Sequence, residues 1–143
     1  MKQQRLWRDV QEGEALASAS YPLGVMRLVI AAGANRDFNS IHHNSGYARD
    51  SGAPDMYANT YFLQGMWERC VRDFIGLDGT IRGFTGFAMK SFNVVGQTVT
   101  VQARVERKWM EEGAGLVEIS IESRTASGVT VGPGRVVASL PLQ

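Results

Sequence analysis

The residues of this 143-residue chain that could do chemistry gather in one stretch, Arg36-Asp37-Phe38-Asn39-Ser40-Ile41-His42-His43-Asn44, which contains both of its histidines. Asn39 and Ser40 favour a turn, and loops on a rigid scaffold are common positions for catalytic side chains. A bend there brings Asp37 and His42 into one small volume. A carboxylate and an imidazole so placed can share a water, which the carboxylate orients and polarises while the imidazole exchanges a proton with it. The same residues also suit an ordinary turn in which Asp37 caps a helix end, and composition alone leaves both readings open. A metal site is disfavoured, because the neighbouring His42 and His43 point apart, whereas ligand pairs on regular elements share a face at i, i+4. Ser40 has no Gly-x-Ser-x-Gly elbow around it. Gly83-Phe84-Thr85-Gly86 lacks the lysine of a phosphate loop.

The elements that must hold this loop are readable on either side of it. From Asn59 to Ile75, apolar residues recur as Phe62/Leu63, Met66/Trp67, Cys70/Val71 and Phe74/Ile75, while Gln64, Glu68 and Arg72 share the other side. That period predicts a long amphipathic helix with a wide apolar face, N-capped by Asn59 and ended by Gly76. The sequence from Thr98 to Glu106 alternates strictly, as does that from Leu116 to Glu122, and a loop at 111–115 joins the two as a hairpin. Val129 to Leu140 reads as a further strand, interrupted at Gly132-Pro133-Gly134 by a bulge or an edge position. An earlier strand is predicted over Thr80 to Phe92, which makes a four-strand meander. Trp7 to Glu14 and Ala17 to Val25 read as short strands, and Met26 to Ala34 as a short helix. The pattern is α+β, one antiparallel sheet with a long helix against it, in a single domain over 1–143.

Composition narrows the classes of function. Lys and Arg number 15 against 14 Asp and Glu, a net charge of +1, which offers no electrostatic footprint for nucleic acid or an anionic membrane. A lone cysteine, Cys70, excludes an intrachain disulfide and a thiolate zinc site. No apolar run approaches the ~20 residues of a membrane span, and the N-terminal MKQQRLWRDVQEGE lacks the apolar stretch of a signal peptide. A cytoplasmic protein is expected.

The string Arg36-Asp37-Phe38-Asn39-Ser40-Ile41-His42, followed by Ala48 and Gly52, resembles the hydratase motif of the MaoC-like dehydratases and (R)-specific enoyl-CoA hydratases, Asp-x-Asn-Pro-[Ile/Leu/Val]-His with a later Ala and Gly. The similarity extends to the Trp7–Glu14 opening, the Gly96-Gln97-Thr98-Val99 turn into a strand, and the Leu140-Pro141 tail. It implies a hot-dog fold, a curved antiparallel sheet wrapped round one long helix, in a homodimer or a hetero-oligomer with a second hot-dog subunit. By position it implies Asp37 and His42 as the catalytic pair for syn addition of water across a trans-2-enoyl thioester, or for the reverse dehydration. The backbone N–H of Thr60 falls at the family's oxyanion donor. Met56, Tyr57, Phe62 and Met66 are acyl-pocket candidates. The substrate would be a thioester of CoA or an acyl carrier, with no cofactor and no metal. Ser40 replaces the motif's Pro, Asn59-Thr60 replaces His-Gly, and Asn44 stands where many members have Asp. Asp55 to Thr60 resembles a sub-group from actinobacterial lipid and steroid side-chain degradation. Two alternatives remain: a hot-dog thioesterase, for which Glu68 is the one acid well inside the long helix, and a non-catalytic subunit that shapes a partner's acyl tunnel.

Overall fold

The computed structural model describes residues 4–143. Five strands form one antiparallel sheet: β1 (Ala19–Pro22), β2 (Thr80–Thr85), β3 (Thr98–Glu111), β4 (Ala114–Thr125) and β5 (Gly128–Leu140). Their order across the sheet is β1-β3-β4-β5-β2. The helices are α1 (Val25–Ala34), α2 (Ser45–Asp50) and α3 (Thr60–Ile75).

The long helix forms as its period requires. Leu63, Met66, Trp67, Cys70, Val71 and Ile75 are buried on α3. They meet Val99, Val101 and Val105 of β3, Val117, Ile119 and Ile121 of β4, and Val131, Val136 and Ala138 of β5 in one core. Asn59 caps the helix, its Oδ1 accepting from the Phe62 N–H at 2.9 Å. Gly76 ends it at φ +76°, where a side chain would be strained. Val99, Val101 and Val105 of β3 are buried at alternate positions, because one face of that strand meets α3.

Trp67 fixes the seat of the helix on the sheet. It is fully buried, and its Nε1–H donates to Ser123 Oγ at 2.9 Å. Gly132 and Gly134 lie so close that a Cβ on either would fall 3.1 or 2.8 Å from the ring. That approach accounts for the glycines in the β5 interruption, where the β4–β5 register shifts between Ile121 and Ser123. Trp67→Phe leaves the buried Ser123 hydroxyl without its donor, and a loss of about 1–3 kcal/mol is expected, read from the urea midpoint.

Three expectations are corrected. The strand predicted over Thr80 to Phe92 stops at Thr85 and pairs with β5, not β3. The true meander is therefore β3-β4-β5, with β1 on the far edge of β3 and β2 closing the other side. At Gly86, φ is +69° and a Cβ would fall 3.1 Å from the backbone of Pro133 and Gly134, so the chain leaves the sheet there. It crosses back through 86–97 with isolated bridges Met89–Val131 and Tyr57–Val94. Trp7 to Glu14 is no strand. Trp7–Asp9 is a 3-10 turn, after which Gly13 N–H donates to Val105 O and Val105 N–H to Glu14 O, at 2.7 and 2.9 Å. The hairpin loop is also tighter than expected: Glu112 and Gly113 turn alone, both at positive φ, the conformation a two-residue turn requires.

On the outer face, Glu118 is the one buried carboxylate among the described residues. Glu118 accepts from Arg135 Nη1 at 2.6 Å and from Arg107 Nε at 3.3 Å. Burial pushes its carboxyl up, but the two guanidiniums outweigh that and hold it below the ordinary value. The stability this contributes is complete above the unfolded carboxyl value of about 4.3 and is lost as pH falls through the lowered folded value. Glu118→Gln is expected to flatten the fall in urea midpoint between pH 5 and 3.

Candidate functional site

The loop between α1 and α2 is built to converge. Arg36 takes φ +55° just after α1, and Asp37 N–H donates back to Ala32 O at 2.9 Å. Asn39 Oδ1 then accepts from Ile41 N–H at 3.2 Å, starting a single 3-10 turn over Ser40–His42. This local bond is what an asparagine supplies in a turn, and it reverses the chain so that His42 faces Asp37. Asn44 caps α2 through the Tyr47 N–H.

Asp37 Oδ2 lies 3.0 Å from His42 Nε2. His42 is 5% exposed, while the Asp37 side chain keeps 30% of its surface in solvent. On the other side of the ring, His42 Nδ1 lies 2.8 Å from Tyr57 O. A carbonyl only accepts, so Nδ1 carries the hydrogen and Nε2 is the nitrogen at which protons arrive and leave. Two acceptors at 3.0 Å must hold a proton between them. With that proton gone they repel, and a water donating to both satisfies both. The structure thus brings Asp37 and His42 together, while His43 is exposed and its Nε2 lies 3.3 Å from Phe38 O.

Tyr57 is a member of the site that residue types alone do not assign to this role. Its backbone carbonyl orients His42, a function no side chain advertises. Its ring packs edge-on against the imidazole at 5.2 Å and against Phe92 at 4.8 Å. Burial, and next the Asp37 charge, push the Tyr57 hydroxyl above its ordinary value. The segment is pinned by Tyr57 N–H to Ile41 O at 3.3 Å and by Ala58 N–H to Asn93 O at 2.9 Å.

Thr60 is the first residue of α3, and its N–H belongs to the turn that lacks intrahelical acceptors. Asn59 Oδ1 takes the Phe62 N–H and also a hydrogen bond from Asn35 Nδ2 at 3.2 Å. Asn59 thereby ties the start of α3 to the residue two before Asp37. The helix dipole adds partial positive charge at this end.

The four acyl-pocket candidates part company. Met56 and Met66 are buried in the core at 3% and 2% exposure, Tyr57 is half-buried against His42, and Phe62 lines an open groove of about 750 Å³ between α1 and α3. Glu68 is exposed on α3, roughly 12 Å along the axis from Thr60. Among the described residues, no group of three or more His, Cys, Asp or Glu side chains is placed to hold a metal ion, and no helix is long and apolar enough to cross a membrane.

No protein-family model matches the chain, and no curated protein matches it in sequence. Solved structures do match. The ChsH1-ChsH2 complex from Mycobacterium tuberculosis contains a chain 25% identical, with a TM-score of 0.82 over 91% of this chain and 98% of that one. An (R)-hydratase from A. caviae involved in PHA biosynthesis is 20% identical at TM-score 0.82, over 94% and 99% of the two chains. A MaoC-like dehydratase from Rhodospirillum rubrum is 16% identical at TM-score 0.72, over 94% of each chain. The chain has the hot-dog fold, with MaoC-like dehydratases and (R)-hydratases as its structural neighbours.

Proposed function

We propose that this chain is an (R)-specific enoyl-thioester hydratase that in reverse dehydrates a (3R)-hydroxyacyl thioester, with Asp37 and His42 as the proton-handling pair and the Thr60 N–H as oxyanion donor. The observation that carries this is the Asp37 Oδ2–His42 Nε2 contact of 3.0 Å on an imidazole whose other nitrogen is tied to a backbone carbonyl. A merely structural histidine would have no need of that second, half-exposed carboxylate.

The reaction follows from the protonation pattern. A water donates one hydrogen to Asp37 Oδ2 and the other to unprotonated Nε2, which leaves an oxygen lone pair free. That oxygen bonds to C3 of the enoyl thioester while Nε2 takes the water's proton, and the Asp37 carboxylate stabilises the resulting imidazolium. The π electrons shift onto the thioester oxygen, where the Thr60 N–H and the α3 dipole stabilise the enolate. Nε2–H then returns the proton to C2, and the carbonyl re-forms. One group takes and returns the proton on one face, so addition is syn. Water is the nucleophile and the thioester carbonyl the electron sink, so the step calls for no cofactor and no metal.

The thioester would be carried by CoA or an acyl carrier protein in fatty-acid or steroid side-chain metabolism. The fold match to one chain of a two-component complex supports assembly with a second hot-dog subunit, identical or different. Purified protein is expected to remove the enoyl absorbance of crotonyl-CoA or a longer enoyl-CoA without releasing free thiol. Thiol release would instead identify a thioesterase, and inactivity relieved by a co-purifying hot-dog chain a non-catalytic subunit.

A further inference from the structure

The dyad leaves an apolar face unused. Met26 and Ile30 on α1 are 72% and 61% exposed, and Tyr61 on the first turn of α3 is 66% exposed. Between the two helices runs the groove of about 750 Å³, walled by these residues with Ala31 and Phe62. Its volume lies in the range of pockets that enclose small ligands, and contiguous apolar surface of this kind marks a binding site.

What fits the groove can be read from its two ends and its floor. Asn35 lines it at the C-terminal end of α1 and donates to Asn59, the cap of α3, so this end adjoins both Asp37 and the free N–H groups of α3. From there Ala34, Ala31, Ile30 and Met26 carry an apolar wall along α1 over roughly 14 Å at the helical rise per residue. The charged residue at the far end, Arg27, is turned to the Pro22 carbonyl, to which its Nη1 donates at 3.0 Å. The floor includes Gly65, in the interior of α3, where glycine is disfavoured. Nothing lies within 4 Å of the place a Cβ would occupy there, so the glycine keeps the groove open. Met56 and Met66, by contrast, are packed into the core and do not line it.

We infer that this groove receives the apolar tail of the substrate, so that the enzyme prefers acyl chains on the order of ten carbons, whose extended length at slightly over 1 Å per carbon matches it. A polar carbonyl head at the Asn35 end and an apolar tail towards Met26 describe an amphipathic thioester. The inference rests on the hydratase reading for the placement of the head.

The test compares trans-2-dodecenoyl-CoA with crotonyl-CoA in the wild type, Gly65→Leu and Ile30→Glu, with dodecanoyl-CoA binding measured by calorimetry. Leucine in mid-helix is a better helix former than glycine, so a folding failure is not expected. The wild type should prefer the C12 substrate in kcat/KM, and each variant should reduce the C12:C4 ratio by at least about tenfold, mainly through KM. An unchanged ratio overturns the groove and leaves hydration standing. Weakened dodecanoyl-CoA binding in the variants, with no hydration by the wild type, overturns the hydratase reading and keeps the groove. A shift in mass by light scattering in the variants, with the ratio unchanged, assigns the face to a second copy of the chain and overturns the inference.

Discussion

Asp37→Asn and His42→Ala are each expected to reduce kcat for enoyl-CoA hydration by at least about a thousandfold, within the range for positioned acid–base groups. The amide that Asp37→Asn introduces would present either an oxygen or an NH2 to His42. As a donor it occupies the Nε2 lone pair, so the imidazole can no longer take a proton from water. As an acceptor it lacks the charge that stabilises the imidazolium. His42→Ala removes the proton carrier itself. Because the pair acts on one proton, the double variant should be no slower than the worse single one. The fold should survive Asp37→Asn, since the side chain is half-exposed and its one ion-pair partner is His42. Single-turnover decay of the enoyl absorbance, with a melting curve for each variant, gives the measurement. A variant within tenfold of wild type would remove the dyad from the chemistry.

How much of this was legible before folding depended on whether the signal was local. α3 declares itself, because a four-residue apolar step with Asn and Gly at the ends has few other solutions. The 36–44 turn is equally local, since Asn39 closes it on Ile41 two residues away. Strand order is not local: Ile81 and Phe84 mark the apolar side of β2 across its bulge, but do not say whether β3 or β5 lies beside it. Both candidate neighbours are apolar strands, so only the folded chain shows that β2 lies on β5, with Gly86 leaving the sheet close to Gly134. The partner of His42 Nδ1 was hidden for a different reason. It is the carbonyl of Tyr57, fifteen residues on, and every residue has a carbonyl. Met56 and Met66 are apolar residues near the site whichever way they point, so sequence cannot separate a pocket wall from core packing. Their burial places both in the core.

Thr60→Pro separates the oxyanion role from everything else Thr60 does. Proline lacks the N–H in question and is favoured at the first position of a helix, where that hydrogen has no intrahelical partner to lose. The residue before a proline must be extended, and Asn59 already has φ −75° and ψ 160°. The Thr60 side chain is exposed, and the cap bond from Asn59 to the Phe62 N–H does not involve it. Stability should therefore change little, while kcat falls about 10²- to 10³-fold, the usual cost of one oxyanion donor. Thr60→Ala, which retains the N–H, should stay near wild type and thus controls for the lost hydroxyl. The loss in Thr60→Pro should appear in kcat more than in KM, because the N–H gains most as charge develops on the thioester oxygen. Equal losses in the proline and alanine variants would assign the effect to the side chain. Full activity in Thr60→Pro would move the developing charge to another donor, with the Tyr61 N–H, also without an intrahelical acceptor, the next to test.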